Sequence, residues 1–257
     1  MKYVNYKVEN RIGYITLNRP EKRNALNHHF VTDLKKAFME AEADPAVKVV
    51  VLKAEGDSFC AGADLEYLQS LQKYTFEENL KDSTHLMELF KIVYQLKKIV
   101  IAQVQGHALA GGCGLVSVCD FSFSVPDANY GYTESRIGFV PAIVMVFLLR
   151  KIGEGRAKEL LLTGTPITAK DAQDFGIVNW IVKEEELENA VQEFAQKLCV
   201  NNSGTSMELT KQMIGEVQSM PLEEALRYAC KKNAEARDSE DCKKGIEAFL
   251  SKQKLQW

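Results

Sequence analysis

No run of apolar residues in this chain is long enough to cross a bilayer as a helix, so a membrane span is not expected. The first segment has neither the continuous apolar stretch of a secretory signal nor the Arg- and Ser-rich, acid-poor character of a transit peptide. Positive charge is not in excess: 32 Lys and Arg stand against 35 Asp and Glu, a net charge of −3. The strong field that nucleic-acid binding normally needs is therefore missing, and no nucleic-acid partner is expected. Cysteine pairs at metal spacing are missing too. Cys113 and Cys119 are too far apart for CxxC, and His28-His29 has no further ligand at suitable spacing, so no metal is expected. The six cysteines read as reduced thiols, mostly packing residues. With only six prolines, no Pro-rich linker breaks the chain, and there are no internal repeats. The expectation is a soluble, cytoplasmic protein that handles a small molecule.

What is present is an ordinary globular balance, 46% hydrophobic and 26% charged in 257 residues. That length suits one large domain, or a core with an appendage. Val4, Tyr6 and Val8 alternate with polar residues, a turn follows at 10–13, and Tyr14–Leu17 resumes, which predicts a hairpin. Phe30, Val31, Leu34, Ala37, Phe38 and Ala41 share one helical face. Val47–Leu52 and Ile99–Val104 read as strands covered on both faces, and Asp120–Val125 as a further strand. Helices are expected near 65–73 and 77–96, and from after Gly112 to about Val118. From Ala142 the pattern is almost wholly helical, with a capping box at Thr168–Asp171, a Gly176 cap and a short strand at 177–182. Residues 1–185 thus read as an α/β core and 186–257 as a helical region that must pack on the core or on another subunit.

Three segments at strand ends carry chemistry, because strand ends are where α/β folds place ligands. Residues 58–65, SFCAGADL, form a small-residue loop that suits close approach of a ligand, or an ordinary connection in which Asp64 caps a helix. Residues 106–114 hold four glycines between an apolar strand and an apolar helix. Free helix N–H groups there suit an anion, and close helix–strand packing would use the same residues. The spacing is neither GxGxxG nor a Walker motif. Glu134 stands among Tyr132, Ile137, Phe139 and Val140, where burial would raise its pKa and let it move protons near neutrality; a solvated turn glutamate is the other reading.

Together these segments resemble the crotonase superfamily, the enoyl-CoA hydratase/isomerase family. The resemblance spans essentially the whole chain: NRPEKRNAL at 18–26, AGADL at 61–65, AGGCGLVSVCD at 110–120, the Glu134 segment, and LLLTGTPITAKDAQDFGIVN at 160–179. It implies a spiral of ββα units followed by a helical C-terminal region that forms trimers, which often pair into hexamers. It implies an acyl-CoA thioester substrate and neither cofactor nor metal. By motif position the N–H groups of Ala63 and Gly111 form an oxyanion hole, and Glu134 is the acid/base. Ala25, Ala61, Asp64 and Leu65 lie along the CoA, Lys22 or Arg23 lies near its phosphates, and Phe249 and Lys252 complete the site, from the same subunit or a neighbouring one.

The chain departs from the family pattern at Gly114, where hydratases generally carry a second, water-activating glutamate. Residues 142–145, AIVM, also replace a Gly-rich stretch, which should make the acyl pocket bulkier and more apolar. Hydration of a 2-enoyl-CoA is the leading expectation. A Δ3,Δ2-enoyl-CoA isomerase needs only the single Glu134, and an acyl-CoA-binding pseudoenzyme is a third reading. Tyr67, Tyr132 and His107 are candidate substitutes for the missing carboxylate.

Overall fold

The computed structural model describes residues 1–257. An antiparallel hairpin opens the chain, β1 (Val4–Glu9) with β2 (Ile12–Leu17), in the register Val4 opposite Leu17. Every residue of β2 is buried, as befits a strand covered on both faces. Helix α1 (His28–Ala43) buries the six apolar residues of the expected stripe, and Asn27 caps it by accepting the Phe30 N–H.

The path then repeats. A long strand enters one sheet, a corner leads to a short strand in a second sheet, and a helix returns. The first turn of this spiral is β3 (Val49–Ala54), β4 (Ser58–Cys60), then α2 (Leu65–Leu71) and α3 (Phe76–Gln95). The second is β5 (Ile99–Val104), β6 (His107–Leu109) and α4 (Gly111–Val118). The third is β7 (Phe121–Ser124), β8 (Asn129–Gly131), a 3₁₀ turn at Glu134–Ile137, and α5 (Ala142–Thr163). β9 (Ile167–Thr168), α6 (Ala169–Phe175) and β10 (Trp180–Ile181) close the two sheets. The larger sheet runs β1-β2-β3-β5-β7-β10, parallel from β2 onward; the smaller runs β4-β6-β8-β9. This is the expected spiral of ββα units.

The small sheet is what the sequence pattern hides. Residues 58–60 and 107–109 lie in segments that read as loops, and 129–131 in a segment that reads as a turn running into the Glu134 region. Each is a three-residue strand. A strand that short shows no alternation, and its pairing comes from neighbours brought in by the spiral. The strand expected at 177–182 shrinks to Trp180–Ile181, because the Gly176 cap and the 177–179 connection take up its start.

Between the layers lies one apolar core that includes Phe30, Phe38, Phe59, Leu89 and Phe90, all fully buried. Each such side chain contributes about 1.5–3 kcal/mol by leaving water. Only helices follow residue 183: α7 (Glu184–Asn201), α8 (Gly204–Val217), α9 (Leu222–Asp238) and α10 (Glu240–Leu250). α7 packs on β3 and β5 through Leu187, Val191, Ala195 and Cys199. α8 is tied down where Lys211 Nζ meets Asp120 Oδ2 at 2.7 Å. α8 and α9 bury no residue fully. No helix is long and apolar enough to cross a membrane.

Candidate active site

Strands β4, β6 and β8 lie side by side and parallel. Their C-terminal ends therefore deliver Ala61–Asp64, Ala110–Gly111 and Glu134 to one edge of the small sheet. Residues 61–64 run alongside 23–26: Ala61 N–H donates to the Arg23 carbonyl at 3.0 Å, Leu26 N–H to Gly62 at 2.6 Å, and Asp64 N–H to Leu26 at 2.9 Å. Leu26 bonds the residues on either side of Ala63, and in such a parallel bridge the middle residue's own N–H faces away from its partner strand. It has no protein acceptor. Gly111 opens α4, and its N–H is one of the orphan donors of a helix N-terminus.

Close packing sets the two donors beside each other. A methyl on Gly62 would come 2.7 Å from Ala110 Cβ and 3.6 Å from the Gly111 nitrogen, and one on Gly112 would overlap the Cys60 carbonyl. The glycine cluster thus serves both readings at once, tight packing and exposed N–H groups. Ala110 holds φ 49°, ψ −121°, a conformation costly for a residue with a Cβ, and donates its own N–H to Gly131 at 2.7 Å.

Glu134 opens the 3₁₀ turn that follows β8 after Tyr132 and Thr133. Its Oε2 is buried and has no hydrogen-bond partner. Burial raises its pKa above the usual carboxylate range, with its own backbone N–H partly opposing the shift. Cys113 and Tyr132 lie near enough to feel its charge. Two preorganised N–H donors and a proton-hungry carboxylate are the parts that enolate chemistry requires.

A family model described as Enoyl-CoA hydratase/isomerase matches residues 7–257. The chain belongs to this enoyl-CoA hydratase/isomerase family. A Thermus thermophilus member is 41% identical over 241 residues, covering 94% of this chain and 95% of that one. The Short-chain-enoyl-CoA hydratase of Clostridium acetobutylicum is 32% identical, covering 96% and 94%. Among solved structures, an enoyl-CoA hydratase from Shewanella pealeana superposes with a TM-score of 0.94 at 26% identity, covering 99% and 96%.

This family member has no room for a second carboxylate at position 114. A Cβ on Gly114 would overlap a Val144 methyl and sit 3.0 Å from Phe90 Cε1. Helices α3 and α5 fill the space with apolar atoms. The three candidate substitutes are each engaged elsewhere. Tyr132 is fully buried with its hydroxyl 3.0 Å from Ser117 Oγ, and burial lifts its pKa far above the ordinary tyrosine value. Tyr67 donates to Asp82. His107 is exposed, and its Nδ1 accepts the Asn129 N–H at 3.1 Å.

The residues expected along CoA fall into two groups. Lys22 is exposed and paired with Glu66 at 2.7 Å; Arg23 has a left-handed backbone, φ 50°. Ala61 is half-buried, and Leu65 is 80% exposed beside the loop. Ala25 and Asp64 are buried instead. The Asp64 carboxylate meets Arg19 Nη2 at 2.6 Å and accepts the N–H groups of Glu66 and Tyr67 at the start of α2. Burial alone would raise its pKa, yet Arg19 and those N–H groups hold it below the usual range. Phe249, 82% exposed, and Lys252 lie at the end of α10. Arg19 lies inside the 18–26 motif, but its role does not show there, because its partner Asp64 is remote in sequence and the pairing and burial appear only in the fold.

Proposed function

We propose that this enzyme adds water across the double bond of a 2-enoyl-CoA thioester. The observation that carries the reading is the pair of unpartnered N–H groups at Ala63 and Gly111 on the same sheet edge as the partnerless Glu134. The thioester oxygen accepts both N–H groups. The Glu134 carboxylate takes a proton from water as the water oxygen bonds to the β-carbon, and the double-bond electrons move to give an enolate held by the two donors. Glu134 then returns that proton to the α-carbon, so one carboxylate serves both steps and ends unchanged. Each donor is worth about 2.7–4 kcal/mol in the barrier, and the proton transfers ~10²–10⁴ in rate.

The apolar filling around Gly114 supports assigning both transfers to Glu134, because no other carboxylate has space there. Addition of water needs neither cofactor nor metal. Ala61 and Leu65 form the rail along which CoA lies, backed from below by the buried Ala25 and Asp64, with Lys22 or Arg23 at its phosphates and the exposed Phe249 and Lys252 closing the site. Crotonyl-CoA should lose its conjugated-thioester absorbance on incubation with the enzyme. A flat trace with short and long 2-enoyl-CoA substrates, together with a rise when a 3-enoyl-CoA is supplied, would replace hydration by double-bond migration.

A further inference from the structure

We propose that Arg19 is a positioning residue, which fixes the Ala63 N–H by clamping the Ala25 carbonyl and the Asp64 carboxylate with one guanidinium. The proposal rests on the hydratase reading above, in which that N–H binds the enolate oxygen. Arg19 is buried, with Nη1 donating to the Ala25 carbonyl at 2.9 Å and Nη2 2.6 Å from Asp64 Oδ2. The two Nη atoms therefore bridge two chain segments that are far apart in sequence and that flank Ala63 on either side of the Leu26–Ala63 pairing. The arginine is itself anchored: its N–H donates to Asn24 Oδ1 at 2.9 Å, and the fully buried Asn24 donates to the carbonyls of Glu55 and Ser58 at 2.8 and 2.9 Å. The corner before β4, the 23–26 segment and the donor loop become one rigid piece.

Asp64 divides its oxygens. Oδ2 meets Arg19, while Oδ1 accepts the first N–H groups of α2 at 2.9 and 3.2 Å. Ala63 thus stands one residue before an anchor held by an ion pair and a helix start together. A planar fork holds the two partners in one fixed relative geometry, whereas a lysine ammonium is a compact charge on a flexible stem and fixes their directions less strictly. Ala63 has no polar side chain that could orient its own N–H, so this bracket does it.

The test measures kcat and KM with a 2-enoyl-CoA, the melting temperature, and the absorbance of a bound, unreactive conjugated thioester in wild type, Arg19→Lys and Asp64→Asn. Polarisation of that thioester by the two N–H donors shifts its band to longer wavelength. The expected result for both variants is a kcat lower by ~10–100-fold, a KM within about threefold of wild type, and a smaller band shift. Asp64→Asn keeps an oxygen for the α2 N–H groups, so it serves alone if Arg19→Lys does not fold. A full band shift, or an unchanged kcat beside a lowered melting temperature, overturns the clamp and leaves Arg19 as scaffold. Wild type without turnover would instead end the hydratase reading, and the band shift would still judge the clamp.

Discussion

At the scale of single residues, Glu134 gives the sharpest consequences. Replacing it by Gln removes the proton carrier and keeps the shape, so turnover should fall ~10²–10⁴-fold while acyl-CoA binding persists. Retention of full activity would end its assigned role. The proposed reaction uses the carboxylate form. Because burial lifts the pKa above the ordinary 4.5, activity should rise with pH along a limb centred above that value. The same lift has a cost for the fold. The native chain holds this proton more tightly than the unfolded chain, so its contribution to stability is full at low pH and is lost as pH rises through the lifted value. Glu134→Gln escapes that loss, and calorimetry at neutral pH should find it melting no lower than wild type. A melting temperature several degrees lower would mean the carboxylate has a partner that the fold needs.

At the scale of elements, the site depends on how closely strand ends meet helix starts. Gly112→Ala forces a methyl into the Cys60 carbonyl, which should cost about 1–3 kcal/mol and disturb both donors at once. A denaturation midpoint and kcat both equal to wild type would show that α4 can shift freely. Gly114→Glu should likewise destabilise the chain, with part of the loss recovered by adding Val144→Gly, which removes the overlapping methyl. Equal stability of the single and double variants would show that Val144 does not fill the space. These contacts also separate what is legible in the bare chain from what is not. The hairpin, the α1 stripe, the Thr168 capping box and the long covered strands are written as periodicity or local hydrogen bonding, so they are legible from neighbours alone. The three-residue strands of the small sheet carry no period, and the Arg19–Asp64 pair joins residues that only the spiral brings together. Asp64 itself is legible as a helix cap, but its burial under Arg19 is not. The motif positions of Ala63, Gly111 and Glu134 can be marked in the sequence, whereas the plug around Gly114 depends on Phe90 and Val144 arriving from two other helices.

At the scale of the whole molecule, the helical tail leaves many apolar side chains uncovered. Leu222, Leu226, Ile246, Phe249 and Leu250 are all more than half exposed, as are Ile137, Phe139 and Val140 beside Glu134. So much apolar surface is characteristic of a face that meets another subunit. We expect sedimentation at micromolar concentration to give a trimer or hexamer of the 28.9 kDa chain, and Leu222→Asp with Leu226→Asp to lower that mass. A wild type that sediments as one chain would refute the assembly. The small sheet has a further consequence, for how such an enzyme can change over generations. In the proposed mechanism each of its three parallel strands ends in a separate tool: β4 in one donor, β6 in the other, β8 in the proton carrier. Variation confined to the segment after β8 can redirect where protons go without loosening the grip on the thioester oxygen. The grip on the thioester oxygen and the handling of protons thus sit on separable pieces of chain.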